Sequence, residues 1–146
     1  MFYISFDFDE VVENPDEYTM GYMIIENDGE ILNSKDMLGR GMMMVFFSLV
    51  SLLESIVQLS QLNAKEYEFV GEDSSFILIF KKTDQGSINI FKDKSSFCTV
   101  SFNDFVNAVW DVSEVLYKEY GDLIDSNNIA KKDWLSAREE ASPLIK

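Results

Sequence analysis

Apolar and polar residues alternate from the start of this chain. Phe2, Ile4, Phe6 and Phe8 interleave with Tyr3, Ser5, Asp7 and Asp9, a period of two that predicts a half-buried strand with an acidic outer face. Val11 to Tyr18 holds Asn14-Pro15-Asp16 and reads as a loop. Thr19 to Asn27 predicts a second strand, and Asn27-Asp28-Gly29-Glu30 a tight turn in which Gly29 tolerates positive φ. Ile31-Leu32 begins a short third strand. Gly39-Arg40-Gly41 separates this meander from a long apolar run, Met42 to Leu62. Within that run Ser48, Ser51, Glu54, Ser55, Gln58 and Gln61 recur at spacings that draw one polar stripe down a helix. A core helix with one wet edge fits this better than a membrane span, where the mid-span Glu54 would be costly.

Four strand-like runs follow: Glu66–Val70, Ser75–Lys82, Ser87–Lys92 and Ser96–Phe102. The short turns between them make antiparallel neighbours the default. A second helix starts near Ser101 or Asn103. Ser101 with Asp104 three residues on resembles a capping box, and Phe105, Val109, Val112, Leu116 and Tyr120 form its apolar stripe. Gly121 suits its C-terminal stop. Ile129 to Ala141 predicts a last helix, docked by Trp134 and Leu135 and ended by Pro143. The expectation is one α+β domain over residues 1–146: an antiparallel β-sheet with one long buried helix and two C-terminal helices.

Composition narrows the chemistry. With 47% hydrophobic and 14% aromatic residues the chain can pack a core. It has no histidine, hence neither the commonest general base nor the commonest transition-metal ligand. Its single cysteine, Cys98, permits no internal disulfide and no cysteine cluster for zinc; its strand-like surroundings predict a small buried hydrophobe, and the count fits a reducing cytosol. No signal peptide is visible, because the N-terminus is acidic and alternating. The formal charge is −14, of which the first 36 residues carry −9 through ten acids and one base, Lys35. Such a balance disfavours nucleic acid and anionic membrane as partners. A locally acidic folded face suits a basic protein partner, whose complementary field would steer association.

Candidate reactive motifs are incomplete. Phe6-Asp7-Phe8-Asp9 resembles the first motif of haloacid-dehalogenase-type phosphatases, in which two carboxylates serve as nucleophile and acid/base beside Mg²⁺. Glu10 stands where that motif has Gly, and the polar face of an alternating strand accounts for both aspartates without chemistry. Gly39-Arg40-Gly41 lacks the phosphate-loop pattern, and Asn27–Glu30 and Gly71-Glu72-Asp73 lack EF-hand ligand spacing. No catalytic residue, metal ligand or cofactor is assigned. Met42-Met43-Met44 reads as the start of the core helix rather than an adaptable binding surface. Some of Tyr3, Tyr18, Tyr22, Tyr67, Phe91 and Trp134 could be exposed anchors within an acidic rim.

The order of elements, and the run Glu66-Tyr67-Glu68-Phe69-Val70 … Phe76-Ile77-Leu78-Ile79-Phe80 … Ser87-Ile88-Asn89-Ile90 … Phe102-Asn103-Asp104-Phe105, resemble the small acidic immunity proteins of bacterial polymorphic toxin systems, including contact-dependent growth inhibition. The resemblance is one of organisation over most of the chain. It implies a non-enzymatic cytoplasmic antidote that binds one cognate toxin domain, often a basic nuclease, and blocks its active site. The residues expected to meet that partner are Asp7, Asp9, Glu10, Glu13, Asp16, Glu17, Glu26, Asp28 and Glu30. The alternative is another acidic protein-binding module: an adaptor, a phage-encoded inhibitor or a nucleic-acid mimic.

Overall fold

The computed structural model describes residues 1–145; the expected domain ends at Lys146, which lies outside the described residues. Eight strands and three helices follow in order: β1 Phe2–Phe8, β2 Met20–Asn27, β3 Glu30–Asn33, β4 Met43–Met44, α1 Val45–Leu59, β5 Glu66–Val70, β6 Ile77–Lys82, β7 Ser87–Lys92, β8 Ser95–Ser101, α2 Phe102–Tyr120 and α3 Ile129–Ala141. The chain is one α+β domain, antiparallel throughout, but its strands form two sheets rather than one. In the first, β2 lies between β1 and β3, with the two-residue β4 also paired to β2. The second is a meander, β5-β6-β7-β8, as its short turns predict. Asp28 and Gly29 take positive φ (51° and 88°) in the β2–β3 turn, the twist a tight hairpin needs.

The long helix is shorter than its apolar run. It begins at Val45, because Met43 and Met44 are extended and pair with Gly21 and Met20. The methionine triplet therefore joins strand to helix, with Met43 fully buried. The helix ends at Leu59, and Leu62 is 99% exposed. The polar stripe divides. Glu54 and Gln58 reach solvent, whereas Ser48 and Ser55 are buried and each has a hydrogen-bond partner. Ser48 Oγ accepts from Glu72 N (3.0 Å), and Ser55 Oγ donates to the Leu52 carbonyl (2.6 Å). A serine hydroxyl satisfied in this way can lie in a core without the cost of an orphaned polar group. Among the described residues no helix is long and apolar enough to cross a membrane.

The C-terminal helices close the core over α1. Ser101 caps α2, its Oγ accepting from Asp104 N at 3.0 Å, so β8 runs directly into the helix. Gly121 ends α2, as its position suggests, but in right-handed space (φ −55°) rather than the left-handed conformation common at such stops. A Cβ there would lie 2.6 Å from the Tyr117 carbonyl, so close approach explains the glycine. Trp134 of α3 is fully buried against Phe46 (5.4 Å between rings) and Tyr117 (5.6 Å). Its indole N–H donates to Ser113 Oγ at 2.9 Å. Leu135 does not share the docking role; it is 38% exposed.

This packing ranks substitutions. Phe46→Ala should destabilise by about 3–5 kcal/mol and Leu53→Ala by about 2–5 kcal/mol. Ser113→Ala, which orphans the buried indole N–H, should cost about 1–3 kcal/mol. Leu135→Ala should stay within about 1 kcal/mol. Urea unfolding of the four variants checks the order; a Leu135 effect equal to that of Phe46 would refute the placement of α3.

Candidate protein-interaction surface

The alternation in β1 and β2 builds two unlike faces. Phe2, Ile4, Met23 and Ile25 are buried beneath the first sheet. The opposite face carries Tyr3, Ser5 and Asp7 from β1, Tyr22, Ile24 and Glu26 from β2, and Ile31 and Asn33 from β3. Register sets the neighbours: Asp7 opposite Tyr22, Ser5 opposite Ile24, Tyr3 opposite Glu26, and Glu26 opposite Ile31. Tyr3 is 51% and Ile31 61% exposed. Asp7 and Glu26 lie four residue positions apart along the strands, roughly 13 Å at the usual rise. The Lys35 ammonium sits 5.8 Å from the Tyr22 ring centre, a cation on an aromatic face.

The nine acids expected to act together separate into three groups. Asp7, Asp9, Glu10 and Glu13 gather at the end of β1 and in the loop after it. Asp9, Glu10 and Glu13 line an open cavity of about 400 Å³ there, beside the exposed Val11 and Tyr18. Glu26, Asp28 and Glu30 sit at the opposite end, on and beside the β2–β3 turn, with Asp28 Oδ1 2.6 Å from the Met1 amino group. The third pair serves the loop itself. Asp16 Oδ1 accepts from Tyr18 N (2.9 Å), closing an Asx turn. The Glu17 carboxylate accepts from the Asn128 side-chain amide, and Asn128 caps α3 by accepting from Lys131 N (3.2 Å). Glu17 thus ties the acidic loop to the last helix, a structural task its sequence context does not signal, because the contact spans 111 residues.

The six aromatics divide as well. Tyr3 and Tyr18 are exposed, Tyr22, Tyr67 and Phe91 half-buried, and Trp134 belongs to the core. Ile24 and Ile31 join Tyr3 and Tyr22 on the outer face, where the β2 alternation and the hairpin turn together place both. The β5–β6 turn is latched inward: Met44 N donates to Glu72 O (2.9 Å), and Ser75 N to Arg40 O (3.0 Å). Asp7 lies on an antiparallel strand and Asp9 just beyond its end, unlike the parallel sheet of the phosphatases that the motif resembles. Cys98 is half-buried, and its thiol is pushed up to about 11, first by burial and then by the negative fields of Glu30 and Asp28. Comparison with protein-family profiles, curated proteins and solved structures finds no match.

A further group of carboxylates lies at the α1–α3 seam. Glu54 faces Asp133 and Glu140; burial, then Asp133, then Glu140 raise its pKa above the ordinary 4.5. A carboxylate whose folded pKa is raised binds its proton more readily in the folded state. The penalty is complete above the folded value and is relieved as pH falls through it. Glu54→Gln should therefore raise the melting temperature at neutral pH, with the gain shrinking toward pH 4.5. Thermal melts across that range check it; a gain that grows on acidification would contradict the repulsion. The Cys98 thiol, with only about 0.1% thiolate at pH 8, should react slowly with Ellman's reagent in the folded chain and at the ordinary rate once unfolded.

Proposed function

We propose that this chain is a non-enzymatic immunity protein that acts in the cytoplasm. It binds and neutralises a cognate bacterial toxin domain, a basic nuclease, through the outer face of its first sheet. The observation that carries the reading is the arrangement of that face. Exposed Tyr3 and Ile31 lie on either side of Glu26 at one end of the face, next to Asp28 and Glu30, and half-buried Ile24 and Tyr22 continue along β2 to Asp7, Asp9 and Glu10 at the other end. Aromatic and aliphatic anchors would supply the desolvated centre of an interface, and the acids its steering rim. A carboxylate entering a nuclease site takes the place of a substrate phosphate and meets the donors built to hold it.

The test uses the toxin domain encoded beside the chain's gene. Replacing Asp7, Asp9 and Glu10 together by Asn, Asn and Gln, and separately Glu26, Asp28 and Glu30 by Gln, Asn and Gln, should lower the association rate and flatten its dependence on salt. Tyr3→Ala should instead speed dissociation, at a cost of about 2 kcal/mol or more if Tyr3 is a central anchor. Glu17→Gln should act on stability and leave the association rate near that of the parent. Folded triple variants that bind like the parent at low and moderate salt would sink the proposal.

A further inference from the structure

The edge of β1 is unpaired and opens onto a groove. Asp9 N donates to Met20 O and Asp28 N to Met1 O, both at 3.2 Å. With the register that pairs Phe2 with Asn27 and Phe8 with Gly21, these bonds make the odd residues the hydrogen-bonded positions facing β2. The backbone N–H and C=O of Phe2, Ile4, Phe6 and Phe8 therefore point away from β2, and no strand lies on that side. Among the described residues no hydrogen bond engages them. The space beside them is a groove between β1 and α2. It consists of two cavities of about 270 and 410 Å³ that share Tyr3, Ile4 and Asp111 in their walls. On the α2 side, Ala108, Val112 and the 59% exposed Val115 form an apolar wall, rimmed by Asp104, Asp111 and Glu119.

An edge with unmet backbone groups is a template for strand pairing, and proteins usually blunt it with lysine, proline or a bulge. β1 has none of these. Apart from α2 across the groove, it is guarded by acids, which repel a second copy of a chain of charge −14 and attract a basic strand. We infer that β1 accepts an extended basic segment of the protein partner as an added antiparallel strand. Alternate side chains of that segment would lie against Val112 and Val115, and the others beside Asp7 and the α2 acids. This rests on the proposed function for the identity of the partner, but the pairing itself can be tested without it.

The probe is a synthetic peptide of alternating lysine and valine, titrated into the full chain labelled with ¹⁵N. In the free chain the amides of Ile4, Phe6 and Phe8 should exchange with solvent faster than those of Tyr3, Ser5 and Asp7. Saturating peptide at low salt should slow the three fast amides at least tenfold, with salt weakening the effect. A glutamate–valine peptide should not bind. Val115→Lys, at an exposed position, should weaken peptide binding by about tenfold or more while the spectrum stays that of the folded parent. The inference is overturned if the three amides are already protected in the free chain, if the basic peptide leaves them unprotected, or if the acidic peptide binds equally well. Loss of edge protection alongside intact toxin dependence on the acids would discard the added strand and keep the proposed function. Edge protection alongside acid-independent toxin binding would do the reverse.

Discussion

Burial of α1 over most of its circumference is the constraint on which the fold depends. Val45, Phe46, Leu49, Leu52, Leu53, Ile56 and Leu59 are all essentially inaccessible to water, and with the buried Ser48, Val50 and Ser55 they take up roughly 220° of the circumference of this fifteen-residue helix. An element with so little solvent-facing surface must be covered on several sides at once. Neighbouring layers supply that cover: α3 and α2, β5 of the second sheet, and β2 and β4 of the first. Phe46 alone meets Phe8 of the first sheet, Tyr120 of α2 and Trp134 of α3. Since the inner face of the first sheet is spent on this core, its outer face is left to solvent, and the acids of β1 and β2 with it.

Local periodicity carries most of the fold. The bounds of β1 and α3 follow from alternation and from the Asn128 cap and Pro143 stop, which need nothing beyond their own residues. What periodicity misses is decided by distant partners. Met42–Met44 has the composition of a helix start, yet Met20 and Gly21 draw Met43 and Met44 into a strand pair. Ser48 and Ser55 look like part of a wet stripe until Glu72 N and the Leu52 carbonyl supply their hydrogen bonds. The division of the strands into two sheets likewise depends on where α1 inserts between them, which no local pattern states.

The same distinction governs the candidate surface. The acidic end of β1 is readable from Asp7 and Asp9 at alternate positions, although the strand stops at Phe8 between them. The partition of the other acids is not, because it depends on where the loop folds. Glu17 is taken up by Asn128, and Asp28 comes to the amino group of Met1 only because the hairpin brings the two strand ends together. What remains is a pair of acidic ends, with Tyr3 and Ile31 beside Glu26 at one and Tyr22 beside Asp7 at the other. Such a geometry would orient the proposed basic partner as well as attract it, because two separated negative ends define an axis where a single cluster would not.

The proposed function turns on which surface a partner toxin domain would cover. Hydrogen exchange followed by mass spectrometry, on the chain alone and in complex with that domain, reads this directly. Exchange should slow in segments covering residues 2–9 and 20–33, with the outer face of the second sheet around Ile77 and Phe91 unchanged. Protection confined to that second sheet, with β1 and β2 exchanging as in the free chain, would contradict it.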